Sequence, residues 1–147
     1  MQISQAPYQE NYDAALASLE DFYTQGAEVP ASSTSAYVAA DARLSLVATD
    51  NGVVVGRLCA SYDPVTNSAR IELLFVDASQ RGQGVGKKLA EDFEQSMRAN
   101  GVTTLFVDTT ESSAPKFYEK LGYTLIGTIP NYPVAPETYL LMMKRVQ

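Results

Sequence analysis

The sequence contains no histidine. That excludes a histidine general base, the serine-histidine-aspartate and cysteine-histidine nucleophile systems, and most zinc and haem sites. It contains one cysteine, Cys59, so neither an intramolecular disulfide nor a cysteine cluster can form. Cys59 stands in the apolar run Val53-Val54-Val55-Gly56-Arg57-Leu58-Cys59-Ala60 and reads as a buried structural thiol. No apolar run approaches the roughly 20 residues of a membrane span. The N-terminus, Met1-Gln2-Ile3-Ser4-Gln5-Ala6-Pro7, lacks the basic-then-apolar pattern of a signal peptide. There is no internal repeat, low-complexity block or linker. A single domain over residues 1–147, soluble and cytoplasmic, with no membrane partner, is the expectation.

The apolar fraction is 46%, enough for a core, and charged residues make up 19%. Eleven basic and 17 acidic residues leave a net charge of −6. That argues against a nucleic-acid surface and fits a cationic or amine substrate, while leaving room for a local basic patch around an anionic ligand.

Periodicity sets out the elements. Tyr12, Leu16, Leu19 and Tyr23 predict a helix over Asn11 to Gln25, ended by Gly26, with a loop over 30–36. Leu44–Thr49 and Val53–Ser61 are strands joined by Asp50-Asn51-Gly52, a tight hairpin turn. A third strand, Ala69–Val76, follows the turn at 63–68 and completes a meander. Val85, Leu89, Phe93 and Met97 share one helical face, and Asn100-Gly101 ends that helix. Val102–Asp108 is a strand, Ser113–Leu121 a short helix, and Tyr123–Ile129 and Thr138–Lys144 are the last strands. The strand-helix-strand crossover requires two parallel strands in a mixed α+β, mostly antiparallel sheet flanked by helices.

Between the third strand and the long helix lies Arg81-Gly82-Gln83-Gly84-Val85-Gly86-Lys87-Lys88. Alternating glycines let backbone approach a ligand, and the first N–H groups of the helix have no internal partner. With the helix dipole, Arg81 and Lys87, they make an anion site suited to phosphate. The spacing fails the P-loop, which needs Gly-Lys-Ser/Thr, and the dinucleotide fingerprint, whose third glycine would fall on Lys87.

The residues Arg81, Gly84 and Gly86, followed by Ala114-Pro115-Lys116-Phe117-Tyr118-Glu119-Lys120-Leu121-Gly122-Tyr123, resemble two ordered motifs of the GNAT superfamily of acyl-CoA N-acyltransferases. The resemblance runs from about residue 40 to the C-terminus. It implies a GNAT-like fold and an N-acetyltransferase using acetyl-CoA as co-substrate. Backbone amides from Arg81 through Gly82, Gln83, Gly84, Val85 and Gly86 to Lys87 would bind its pyrophosphate. The preceding strand, at Leu74, Phe75 and Val76, would splay from its neighbour and pair with the pantetheine arm. Tyr118 matches the family tyrosine beside the thioester sulfur and is the candidate general acid.

An alkylamine with a pKa near 10.4 is neutral in only about one molecule in 10³ at pH 7, so a base is useful. Glu72 interrupts the apolar strand and is the leading candidate base; alternation places it on the face of Leu74 and Val76. Glu111 is the runner-up, standing where many family members carry asparagine, and Asp108 could orient the amine. Tyr37, Tyr62, Tyr132 and Tyr139 are candidates to line the acceptor pocket. The acceptor is a small-molecule, peptide or protein amine, and the exposed last strands could pair two copies in a homodimer. Competing readings are a catalytically inactive CoA-binding regulatory module and a methyltransferase.

Overall fold

The computed structural model describes residues 1–22, 43–113 and 115–146. Tyr23, Gln25, Gly26, the loop over 30–36 and Tyr37 lie outside them. The strands are β1 (Gln2–Gln5), β2 (Arg43–Asp50), β3 (Val53–Asp63), β4 (Ser68–Val76), β5 (Thr104–Thr110), β6 (Thr124–Pro130) and β7 (Thr138–Arg145). The helices are α1 (Tyr8–Phe22), α2 (Val85–Ala99) and α3 (Pro115–Lys120). One sheet runs β1-β2-β3-β4-β5-β7-β6. Among the described residues only β4 and β5 are parallel neighbours, as the crossover requires. Asn51 and Gly52 both adopt positive φ in the β2–β3 turn, as the Asn-Gly pair predicts. The strand β1 is an addition to the predicted elements, and α1 begins three residues earlier than its periodicity indicates.

The core lies between the sheet and the α2–α3 layer. Val85, Leu89, Ala90, Phe93 and Met97 form the buried stripe of α2. They pack on Leu58, Ala60, Ile71, Leu105 and Val107 of the central strands. Each fully buried aliphatic side chain stabilises by about 1.5–3 kcal/mol. Helix α1 covers the other face. Its buried Asn11 donates to Ser45 Oγ at 2.8 Å and to the Leu46 carbonyl at 3.1 Å, and accepts from Arg57 Nη1 at 2.9 Å. Among the described residues, no helix is long and apolar enough to cross a membrane.

Two irregularities position the site. First, β4 and β5 are paired only from Ser68 with Thr104 to Ile71 with Val107. Beyond Ile71 the inner edge of β4 faces a fork. Second, Cys59 pairs with Leu73 and Ala60 with Ile71, so Glu72 is an extra residue, a β-bulge. Residues directly opposite across the strands share a face. Leu74 therefore lies with buried Leu58 on the α2 face, and Leu73 with Cys59 on the α1 face.

Candidate active site

The glycine-rich turn connects the end of β4 to α2. Gly84 is the residue before the helix and has φ 81°, a conformation an L side chain rarely adopts. The first intrahelical bond runs from Lys88 N–H to Gly84 O at 3.0 Å. The N–H groups of Val85, Gly86 and Lys87 therefore have no helical acceptor. A Cβ on Gly84 would meet nothing within 4 Å, so the backbone is open on that side. Gly86 serves a different purpose: a Cβ there would approach Phe117 Cζ at 3.3 Å, so its absence lets α3 close on α2.

The turn, the fork and α3 enclose a cleft of about 420 Å³. Of the residues expected to hold the cofactor, Leu74, Val76, Arg81, Gly82, Gly84, Val85, Gly86 and Lys87 line it, together with Tyr118. Phe75 and Gln83 do not. Phe75 shares a face with Arg57, away from Leu74 and Val76, and the Arg81 guanidinium lies 5.9 Å from its ring. Gln83 turns back, its Nε2 donating to Ser79 O at 3.5 Å. Arg81 Nε donates to Val76 O at 3.2 Å, which ties the turn to the end of β4. Beyond Lys87 a polar groove of about 510 Å³ continues along α2, with Lys120 and Lys144 on its wall.

Tyr118 is buried and meets Phe117 and Tyr123 edge-on, with ring centroids 5.0 and 5.7 Å away. Burial pushes its phenol well above the ordinary value. The group therefore stays protonated at any working pH and can donate a hydrogen bond.

Glu72 does not lie on the face of Leu74 and Val76 that simple alternation assigns it. The bulge shifts the parity of β4 at this residue. The carboxylate accepts from Ser61 Oγ at 2.7 Å through Oε1 and lies on the α1 face. There its charge adds to the effect of burial in raising the Tyr8 and Tyr12 phenols. The cleft and Glu72 thus stand on opposite faces of the fork.

Sequence reasoning named Asp108, Tyr132 and Tyr139 but missed Arg70, which joins them in a cluster beside Glu72. Arg70 Nη1 donates to Asp108 Oδ2 at 2.7 Å, bridging β4 and β5 where their pairing ends. Tyr139 of β7 also donates to Asp108; burial first, then this bond, raises its phenol. Tyr132 packs edge-on against Tyr139 at 5.1 Å. Asp108 is therefore held by protein donors. The signal was present: Arg70 and Asp108 each alternate with core residues, so both occupy the outward parity of parallel neighbours. Glu111 has an exposed side chain, and its backbone N–H donates to Thr138 O at 3.0 Å. Tyr62 packs half-buried against the core. Among the described residues no cluster of ligating side chains could hold a metal ion.

Comparison with known proteins gives the architecture its relatives. The chain is 38% identical over 73 residues to blasticidin-S acetyltransferase of Streptomyces morookaense, a match covering 49% of this chain and 54% of that protein. It is 30% identical over 102 residues to IAA acetyltransferase of Azospirillum brasilense, covering 68% and 65% respectively. The chain thus matches about half to two thirds of the length of these relatives. Among solved structures, an aminoglycoside 6'-N-acetyltransferase complexed with coenzyme A superposes with TM-score 0.76 at 18% identity, covering 99% of this chain and 97% of that one. A family model described as the acetyltransferase (GNAT) family matches residues 8–123. That match takes in α1, the fork, the glycine turn and the tyrosine of α3 alike, and the chain belongs to the GNAT acetyltransferase family.

Proposed function

We propose that the chain, acting as one N-acetyltransferase domain, transfers the acetyl group of acetyl-CoA directly to a primary amine in a ternary complex. The observation that carries this reading is the fork. A cleft with free helical amides opens on one of its faces, and a carboxylate stands on the other. Acetyl-CoA supplies an activated acyl group on a thiol leaving group. The N–H groups of Val85, Gly86 and Lys87, with the Lys87 ammonium, hold its pyrophosphate, a charge-assisted interaction at a helix N-terminus. The unpaired edge of β4 from Glu72 to Val76 takes the pantetheine arm as an added strand. The polar groove beyond Lys87 receives the nucleotide end.

The amine approaches from the α1 face. Ser61 occupies one oxygen of Glu72, leaving the other to take the ammonium proton as general base. Tyr118 lies on the cofactor side and donates to the sulfur as negative charge builds there. Its burial keeps the phenol neutral. The acceptor is an amine, and the net charge of −6 favours a cationic one. The relative named for blasticidin-S supports a small-molecule amine as one acceptor class, beside peptide and protein amines. A cytoplasmic location and a homodimer belong to the same reading.

Direct transfer is tested by initial velocities with both substrates varied. Intersecting double-reciprocal lines are expected. Parallel lines, the signature of a covalent acetyl-enzyme, would overturn the ternary complex.

A further inference from the structure

We propose that the acceptor carries an anionic oxygen group, a carboxylate or a phosphate, beside its reactive amine, and that Arg43 binds it. This rests on the reading of the α1 face as the acceptor side and deepens it by naming a substrate class. Arg43 opens β2 directly opposite Ser61 of β3, which in turn faces Arg70 of β4. Residues facing one another across strands share a face, with Cβ atoms roughly 5 Å apart. Ser61 lies two residues beyond Cys59, whose Sγ accepts from Asn11 of α1, so the row of Arg43, Ser61 and Arg70 stands on the α1 face. Its middle member donates to the candidate base, Glu72, at 2.7 Å. A carboxylate able to take a proton from an ammonium is thus bracketed by two arginines.

The two arginines are not equivalent. Arg70 is committed to Asp108 at 2.7 Å, which matches its charge. Arg57, on the same face, gives Nη1 to Asn11 Oδ1 at 2.9 Å. Among the described residues Arg43 has neither a carboxylate partner nor a hydrogen-bond acceptor. The ring of Tyr8 holds it, with Cζ 4.8 Å from the ring centroid. Tyr8 is stacked on Tyr12 at 5.7 Å, so the guanidinium rests on a platform built by α1. Cation–π contact occupies the face of the planar group and leaves the N–H donors along its edge for an oxygen. That fixed fork of donors matches the paired oxygens of a carboxylate or phosphate. Burial raises both phenols; the charge of Glu72 adds to the effect and that of Arg43 opposes it. The candidate base and the unmatched guanidinium therefore converge on one aromatic wall.

Charge makes the assignment selective. A chain of net charge −6 draws an ammonium toward it and repels a free anion. A half-buried, unmatched guanidinium beside the base is the local exception, and it selects an anion already joined to an amine. The spacing of the row suits a compact acceptor, with amine and anion a few bonds apart.

Thiol release from acetyl-CoA with matched acceptors tests the inference: short ω-amino carboxylates, their primary amides, 2-aminoethyl phosphate and a plain alkylamine. Losing one charge-assisted contact lowers kcat/KM roughly ten- to hundredfold, so the wild type is expected to prefer an anionic acceptor to the matched amide by that factor. The better of the two anions, carboxylate or phosphate, identifies the group. Arg43→Gln is expected to bring the ratio of anionic to amide acceptor close to unity, and Arg43→Lys to keep part of it. An acetyl-CoA thermal shift like that of the wild type shows that the variants are folded. A wild type that acetylates amide and anion equally well would overturn the inference without recourse to any variant. A preference that survives Arg43→Gln would overturn the assignment to Arg43. Absence of thiol release with every amine, acetyl-CoA still binding, would instead overturn the acetyl-transfer reading beneath it.

Discussion

Replacing Gly84 by proline separates the backbone of the glycine turn from its charges. Proline fixes φ near −65°, whereas Gly84 sits at 81°, so the turn must rotate by roughly 145° about that bond. No retained strain can hold the native geometry, and the amides of Val85 to Lys87 change direction. A side chain at this φ is strained whatever the space around it, so the free protein is destabilised as well and its melting temperature is read beside its affinity. Losing one charge-assisted hydrogen bond costs about 1.5–3 kcal/mol, so acetyl-CoA should bind roughly ten- to hundredfold more weakly. The matched control is Gly101→Ala at the far end of α2, where φ is 80° and space is equally open. An alanine there costs about 1–2 kcal/mol in the left-handed region, offset by about 0.4–1 kcal/mol from the stiffer unfolded chain. Its melting temperature should fall by roughly 2–5 °C with acetyl-CoA affinity unchanged. Isothermal titration and thermal melts read both variants. If Gly84→Pro binds acetyl-CoA as tightly as the wild type, the amides of the first turn are not the pyrophosphate cradle.

Further predictions follow from the buried and titratable groups. Glu72→Gln keeps an acceptor for Ser61 but removes the base, so kcat/KM at neutral pH should fall by about 10²–10⁴. The deficit should shrink as pH approaches the amine pKa; a pH-independent deficit would remove Glu72 from proton transfer. Tyr118 and Tyr123 are buried with phenols raised by desolvation. A raised folded value means the proton is held more tightly in the fold, so their contribution is intact below the ordinary phenol value of about 10 and is lost above it. Each should withdraw stability on the order of 1 kcal/mol by pH 11, a loss that urea melts at pH 9, 10 and 11 would reveal and a flat profile would refute. Burial pushes the Cys59 thiol up to about 11. It should react with a disulfide reagent at pH 8 only as fast as the protein unfolds; rapid labelling of the native chain would contradict its burial.

Much of this arrangement was legible in the chain. The Asn51-Gly52 turn, the stripe of α2 and the glycines before it are local signals, and local geometry obeyed them. The parallel pairing of β4 and β5 followed from the crossover, and their splaying into a fork was implied by the family resemblance. Three features depended on information no local window holds. Strand β1 is four residues of mostly polar sequence, stabilised by pairing with β2 and not by its own propensity. The insertion of β7 between β5 and β6 is a choice among long-range pairings. The face of Glu72 turned on a single bulged residue. Because apolar Leu73 and Leu74 both follow Glu72, alternation gave no sign of the shift, and a one-residue offset moves a side chain to the other face. The shift separates the candidate base from the cofactor cleft by the thickness of the sheet edge, which is the arrangement a ternary complex needs.

The central claim is acetyl transfer to an amine. Free-thiol release from acetyl-CoA, followed across a panel of small amines, aminoglycosides and peptides with wild type and Tyr118→Phe, tests it most directly. The account predicts amine-dependent thiol release by the wild type, and a rate roughly 10²-fold lower for Tyr118→Phe with acetyl-CoA still bound. Tight binding of acetyl-CoA with no thiol release for any amine would contradict it and leave a CoA-binding module.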